Sequence, residues 1–144
     1  MNKTVFYVDD EPWFVEPLVD ALQIEGFVVE LATNGTEAIN KLKQGDFLPD
    51  LVVLDVIMPN GDGMHDTNGG RRTGLRVHEI IRRQLWLKMP IIFLTVVDDP
   101  SVERDIEAVE KSCGIQDFGY LVKPVLPTEL LEKVSMLLKD LKRE

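Results

Sequence analysis

"KTVFYVDDEP", residues 3–12, runs a short apolar segment straight into a cluster of acid. Val5, Phe6, Tyr7 and Val8 have the composition of a buried strand, and Asp9, Asp10 and Glu11 follow with no spacer. Two carboxylates about 4 Å apart repel by a few kcal/mol at an intermediate effective dielectric. A divalent cation with a preference for hard oxygen ligands is the first candidate to offset that repulsion. The stretch predicts a strand whose tip gathers charge to hold something.

Working outward, the strand recurs. Apolar strands are expected at Thr4–Val8, Phe27–Ala32, Leu51–Leu54, Ile91–Thr95 and Tyr120–Val122, with helical spacing in the segments between them. Phe14, Leu18 and Leu22 lie one turn apart; Pro12 suits a first helical turn, and Pro17 predicts a kink or a late start. Asn34 followed by Glu37 reads as a helix start, with Ala38, Ile39 and Leu42 as the buried face. Leu75, His78, Ile80 and Ile81 mark a third helix, and Asp99–Pro100 opens a fourth that carries Val102, Ile106 and Val109. Leu130, Leu131, Val134, Leu137, Leu138 and Leu141 stripe a fifth. Five strands alternating with five helices imply a parallel sheet covered on both faces. The segment 62–73, "DGMHDTNGGRRT", is Gly-rich, charged and aperiodic, and reads as a loop.

Length and composition bound the class. A chain of 144 residues that is 44% hydrophobic suits one domain, 1–144, with a sizeable core. No apolar run reaches the roughly 20 residues of a membrane helix, and the N-terminus lacks a signal-peptide layout. The lone Cys113 forms no internal disulfide, which suits a reducing compartment, and a cytoplasmic protein is expected. A net charge of −9 argues against direct nucleic-acid binding by this domain.

In a doubly wound sheet, function collects at the carboxyl ends of the strands. The first strand ends in Asp9 and Asp10, the third in Asp55, the fourth in Thr95 and the fifth in Lys123, whereas the second delivers only Thr33 and Asn34. Three acids, a hydroxyl and an amine should converge on one edge. A carboxylate can accept a phosphoryl group as an acyl phosphate. That reaction joins two negative partners, so it needs charge neutralisation and alignment more than proton transfer.

Four pieces, "VDDE", "PDLVVLDVIMPNGDG", "PIIFLT" and "GYLVKP", stand at strand ends in this order. Together they resemble the receiver domain of two-component response regulators, from about Lys3 to Leu141. The resemblance implies a flavodoxin-like (βα)5 three-layer sandwich with parallel sheet order 2-1-3-4-5. It implies Asp55 as phosphoacceptor, with Mg2+ (or Mn2+ in its place) held by Asp10, Asp55 and the Ile57 carbonyl, and by Asp9 through water. Lys123 and Thr95 would bind the phosphoryl group, and Thr95 with Tyr120 would form the switch. A sensor histidine kinase or phosphotransfer protein would be the donor. A downstream protein or output domain would read the state through the fourth helix, fifth strand and fifth helix, a surface also open to homodimer formation. No membrane partner is implied.

Departures from the family pattern follow. Either Gly63 or Gly74 fills the family's glycine position, so an insertion at about 62–73 is expected, whose Arg71 and Arg72 could meet an acidic partner or the phosphoryl group. Thr95 to Lys123 is longer than the family pattern, by an extended fourth helix or a looser "KSCGIQDFG". Bulky Ile57, Val96 and Val97 should exclude attacking water and prolong a phosphoryl state. His65 and His78 read as a loop and a surface histidine, and Cys113 as a small buried hydrophobe. "DFG" at Asp117–Gly119 has no companion kinase motif. Two rivals remain. A haloacid-dehalogenase-type phosphatase would want an acid where Ile57 stands, and a receiver-like interaction module would keep the fold without phosphorylation. No output segment follows Leu141, so the reading is a stand-alone regulator or a piece of a longer chain.

Overall fold

The computed structural model describes residues 2–11, 16–45, 48–58 and 72–141. Five parallel strands form one sheet: β1 (Thr4–Val8), β2 (Val28–Ala32), β3 (Leu51–Asp55), β4 (Ile91–Thr95) and β5 (Gly119–Val122), in the order β2-β1-β3-β4-β5. Helices α1 (Glu16–Ile24), α2 (Gly35–Gln44), α3 (Thr73–Glu79), α4 (Pro100–Ser112) and α5 (Pro127–Leu141) alternate with them, and α3 continues into a π-helical turn at Ile80–Gln84. The flavodoxin-like order expected above is the observed one.

Strand periodicity divides the core in two. Val5, Tyr7, Val53, Ile92 and Leu94 point to the side covered by α1 and α5, where they meet Leu18, Leu22, Leu130 and Val134. Phe6, Val8, Val52, Leu54 and Phe93 point the other way, against Ala38, Ile39, Val77, Ile81 and Ile106 of α2, α3 and α4. Because β3 and β4 are buried on both faces, their sequences are continuous apolar runs rather than alternations. The same alternation aims the strand tips: Asp9 and Asp55 follow Tyr7 and Val53 by two residues, onto the α1–α5 side.

Local signals set several boundaries as expected. The Asn34 side chain accepts from Glu37 N at 2.7 Å, while Glu37 Oε1 accepts from Thr33 N at 2.6 Å, a reciprocal cap. Asp99 caps α4 through Ser101 N at 2.9 Å, with Pro100 in the first turn. Pro17 also sits in a first turn, that of α1, where its missing N–H removes no intrahelical bond. Phe14 and Pro12 lie outside the described residues. The stretch "KSCGIQDFG" is shared between the end of α4 and a connection turned by Gly114 at φ 77°.

Two expectations are corrected. His78 is not a surface residue but 1% exposed, because its helix face turns toward β4 and its ring meets Phe93 edge-on. Cys113 is half-exposed rather than buried, since it caps the end of α4 beyond the last inward-facing turn.

Of the two candidate glycines, Gly74 makes the close approach that needs one. Its N–H donates to Val56 O at 2.9 Å, and a Cβ there would strike the Asp55 carbonyl and come within 2.5 Å of Val56 Cα. Gly63 lies outside the described residues, as do His65, Arg71 and all of 59–71. Arg72, the described one of the two arginines, forms an exposed ion pair with Asp105 of α4 at 2.5 Å. Gly74→Ala should lower the free energy of unfolding by about 2 kcal/mol or more, read as a reduced urea midpoint, because the methyl has only backbone to displace. An unchanged midpoint would refute the close approach.

Candidate functional site

The tips of β1, β3 and β5 converge at one edge of the sheet. Asp9, Asp10 and Asp55 each offer an oxygen within 4.8 Å of the others, and they are only 2%, 8% and 3% exposed. Each is there for a local reason. β1 ends where Asp9 N donates to Ala32 O at 3.0 Å, and the chain then turns as Asp9 Oδ1 accepts from Glu11 N at 2.8 Å. Asp55 is the last residue of β3, in register with Leu94. β5 is tied to β4 by Lys123 N donating to Thr95 O at 2.7 Å, which swings the Lys123 side chain over the acids. Its Nζ stands 2.9 Å from Asp9 Oδ2 and 3.5 Å from Asp55 Oδ2. A cis bond joins Lys123 to Pro124.

Three carboxylates against one ammonium leave an excess of negative charge in a poorly hydrated place. Burial first, then the charge of Asp9, pushes the Asp55 carboxyl up to about 7, against the opposing pull of Lys123. Lys123 is raised, because the attraction of Asp55 and Asp9 outweighs its own burial. Tyr7, fully buried one pleat below Asp9, is pushed well up by burial and then by Asp9 and Asp55. Such a donor set, all hard oxygen and under-neutralised, fits a small divalent cation. Ile57, the expected carbonyl ligand, lines the same cleft.

The cleft of about 600 Å³ is larger than the acid cluster. Its other wall is apolar and was not legible beforehand: Pro17 and Leu18 of α1, Val96, and Val125 with Pro127 at the start of α5. Pro17, Pro124 and Pro127, all lining the cleft, are the retrospective signal.

Thr95 is placed at the end of β4 but engages its own loop. Its hydroxyl donates to Val97 O at 3.0 Å and accepts from Val97 N at 3.2 Å. Tyr120 pairs in register with Phe93, two residues before Thr95, and packs on the α2–α4 side of the core. Burial, with Asp98 and Glu103 nearby, raises its phenol. Among the described residues, sequence reasoning missed one charged cluster, a buried His78–Arg82–Glu110 group between α3 and α4. The four-residue spacing of Val102, Ile106 and Glu110 was its signal.

Asp55 sets a pH dependence. A carboxyl held near 7 in the fold but near 3.8 when unfolded binds more protons folded, so it costs stability as pH rises from about 4 to about 7. Asp55→Asn removes that cost. We expect the variant to be more stable than the parent by about 2 kcal/mol at pH 8 without divalent cation, and the gain to vanish near pH 4. Urea unfolding at the two pH values reads the difference; a variant that is no more stable at pH 8 would refute the assignment.

The family model of the response regulator receiver domain matches residues 5–135. The alkaline phosphatase synthesis transcriptional regulatory protein PhoP of Bacillus subtilis is 34% identical over 96% of this chain and 50% of its own length. The response regulator MprA of Mycobacterium ulcerans is 33% identical over 100% and 53% respectively. The chain thus spans about half the length of these curated relatives. Among solved structures, the chemotaxis response regulator CheY4 of Vibrio cholerae superposes with a TM-score of 0.73 at 28% identity, covering 95% of this chain and 99% of that one. A CheY-like receiver from Methanospirillum hungatei gives 0.75 at 22% identity over 99% and 98%, a likeness of fold. An acid cluster on the tips of β1 and β3, a lysine from β5 and a match over nearly the whole chain have one reading: this chain belongs to the response regulator receiver domains of two-component systems.

Proposed function

We propose that this receiver accepts a phosphoryl group on Asp55, in a Mg2+-dependent reaction, and passes the change to a partner or output domain. The observation that carries the reading is the meeting of Asp9, Asp10 and Asp55 oxygens within 4.8 Å, with Lys123 Nζ 3.5 Å from Asp55. Asp10, Asp55 and the Ile57 carbonyl would hold the ion directly and Asp9 through water. When bound, Mg2+ supplies the positive charge that keeps the carboxylates ionised and screens the incoming phosphoryl oxygens.

The chain's own groups do the rest. An ionised Asp55 oxygen forms the new P–O bond as the bond to the donor nitrogen or oxygen breaks. Lys123 turns from Asp9 toward a phosphoryl oxygen and offsets its charge. Thr95 exchanges its bond to Val97 for one to the phosphoryl group, which draws the loop after β4 inward, with Tyr120 following. The apolar wall of Pro17, Leu18, Val125 and Pro127 gives a donor protein a surface beside the acceptor. The donor would be a phosphohistidine of a sensor kinase or a phosphotransfer protein. The receiver catalyses its own modification and is not a conventional enzyme. A cytoplasmic location is consistent with this role, and no described helix is long and apolar enough to cross a membrane. We further propose that 1–144 forms one domain with its insertion just before α3, and that α4, β5 and α5 present the output or dimer surface.

Incubation with Mg2+ and acetyl phosphate should give a single phosphoryl adduct by intact mass. Asp55→Asn should abolish it and Lys123→Ala should slow its formation at least about tenfold. An unmodified parent would favour the interaction-module reading, and steady phosphate release from varied esters would favour a phosphatase. Ile57 is half-buried in the cleft, Val96 lines it at 58% exposed, and Val97 follows in the same loop at 53% exposed. That apolar screen should give the adduct a half-life of minutes or longer after the donor is removed. Decay within seconds, followed by mass, would show that water enters freely.

A further inference from the structure

Helix α4 docks on the sheet through three residues spaced one turn apart, Val102, Ile106 and Glu110. The first two are apolar, and the third, where another apolar anchor belongs, is a carboxylate only 1% exposed. It is fully matched. Glu110 Oε1 lies 2.6 Å from both His78 Nε2 and Arg82 Nε, and Oε2 accepts from Arg82 Nη2 at 3.0 Å. Burial would raise the Glu110 carboxyl, but the hydrogen bonds of His78 and Arg82 outweigh it and hold it below the ordinary range.

The clamp is built into the backbone opposite. Arg82 lies on the π-helical turn at Ile80–Gln84, and its Nη1 donates to Leu87 O at 2.8 Å, so one guanidinium joins α3, the connection to β4 and α4. His78 is braced edge-on against Phe93, ring centres 4.7 Å apart. Just beyond this turn Trp86 adopts φ 57°, a left-handed conformation uncommon for a bulky side chain. By contrast, two further polar ties to α4 are exposed: Arg72–Asp105, and Arg83 to Ser112 Oγ at 3.4 Å. At its N-terminal end α4 is held by the Asp99 cap, buried Val102 and the exposed Arg72–Asp105 pair, next to the loop whose Thr95–Val97 bonds would be exchanged.

We propose that Glu110, gripped by Arg82 and His78, is a fixed pivot for α4: a signal arriving at Thr95 moves the first turn of the helix while its last two turns, from Ile106 onward, stay docked. A buried ion cluster suits a pivot because it is complete or broken, with no inexpensive intermediate displacement. The proposal rests on the phosphoryl reading only for the signal; the anchoring itself does not depend on it.

Hydrogen exchange by mass spectrometry on the whole chain separates the two. With Mg2+ and beryllofluoride, the parent should change protection in residues 98–104 and not in 107–112. An equal change in both, or a change in neither once a bound adduct is seen, overturns the pivot. If no adduct forms, the phosphoryl reading fails and the second arm decides. There Glu110→Gln, without any ligand, should speed exchange of 107–112 at least about tenfold more than that of 98–104. Equal acceleration, or none, would mean that the cluster anchors nothing in particular. The parent arm needs no substitution, so the pivot remains testable if Glu110→Gln fails to fold.

Discussion

Everything at the functional edge depends on one electrostatic arrangement: buried carboxylates from β1 and β3 facing a single lysine from β5. Like charges so close in a poorly hydrated setting are unstable alone, as the raised Asp55 carboxyl records. The sheet enforces the meeting. Parallel strands in register bring Asp9, Asp55 and Lys123 to the same edge, and the two apolar layers below leave those side chains nowhere else to go. The fold thus holds more negative than positive charge at this edge, a setting that favours a divalent cation.

The second constraint is geometric. Gly74 lets α3 start against the backbone of Asp55 and Val56, so the helix that follows β3 is pinned to it. From there the chain carries His78 and Arg82 inward to meet Glu110. β3, α3 and α4 are therefore linked by polar and backbone contacts as well as by apolar packing. A receiver must move something without losing its sheet. Polar links between elements, cooperative and specific, are a suitable means because they change state as units.

The apolar wall of the cleft completes the picture. Proline and valine around a charged centre exclude water without adding competing hydrogen bonds. They also keep the effective dielectric low, so that each charge there counts for more.

Read alone, the sequence specified the strands, a parallel sheet covered on both faces and the residues at each tip, while the strand order came with the family resemblance. Those features are local: apolar runs, caps at Asn34 and Asp99, and acids placed directly after a strand. It did not reveal that His78 is buried, because a histidine between Leu75 and Ile81 scores alike on either face, and only packing against Phe93 decides. Nor could it choose between Gly63 and Gly74, since the choice depends on which backbone lies within reach of Asp55. Arg82 and Glu110 are 28 positions apart, and their pairing rests on a π-helical turn with no periodic signature. Tertiary structure decided these matters because each is a question of distance between elements, and pattern along a chain carries direction but not distance.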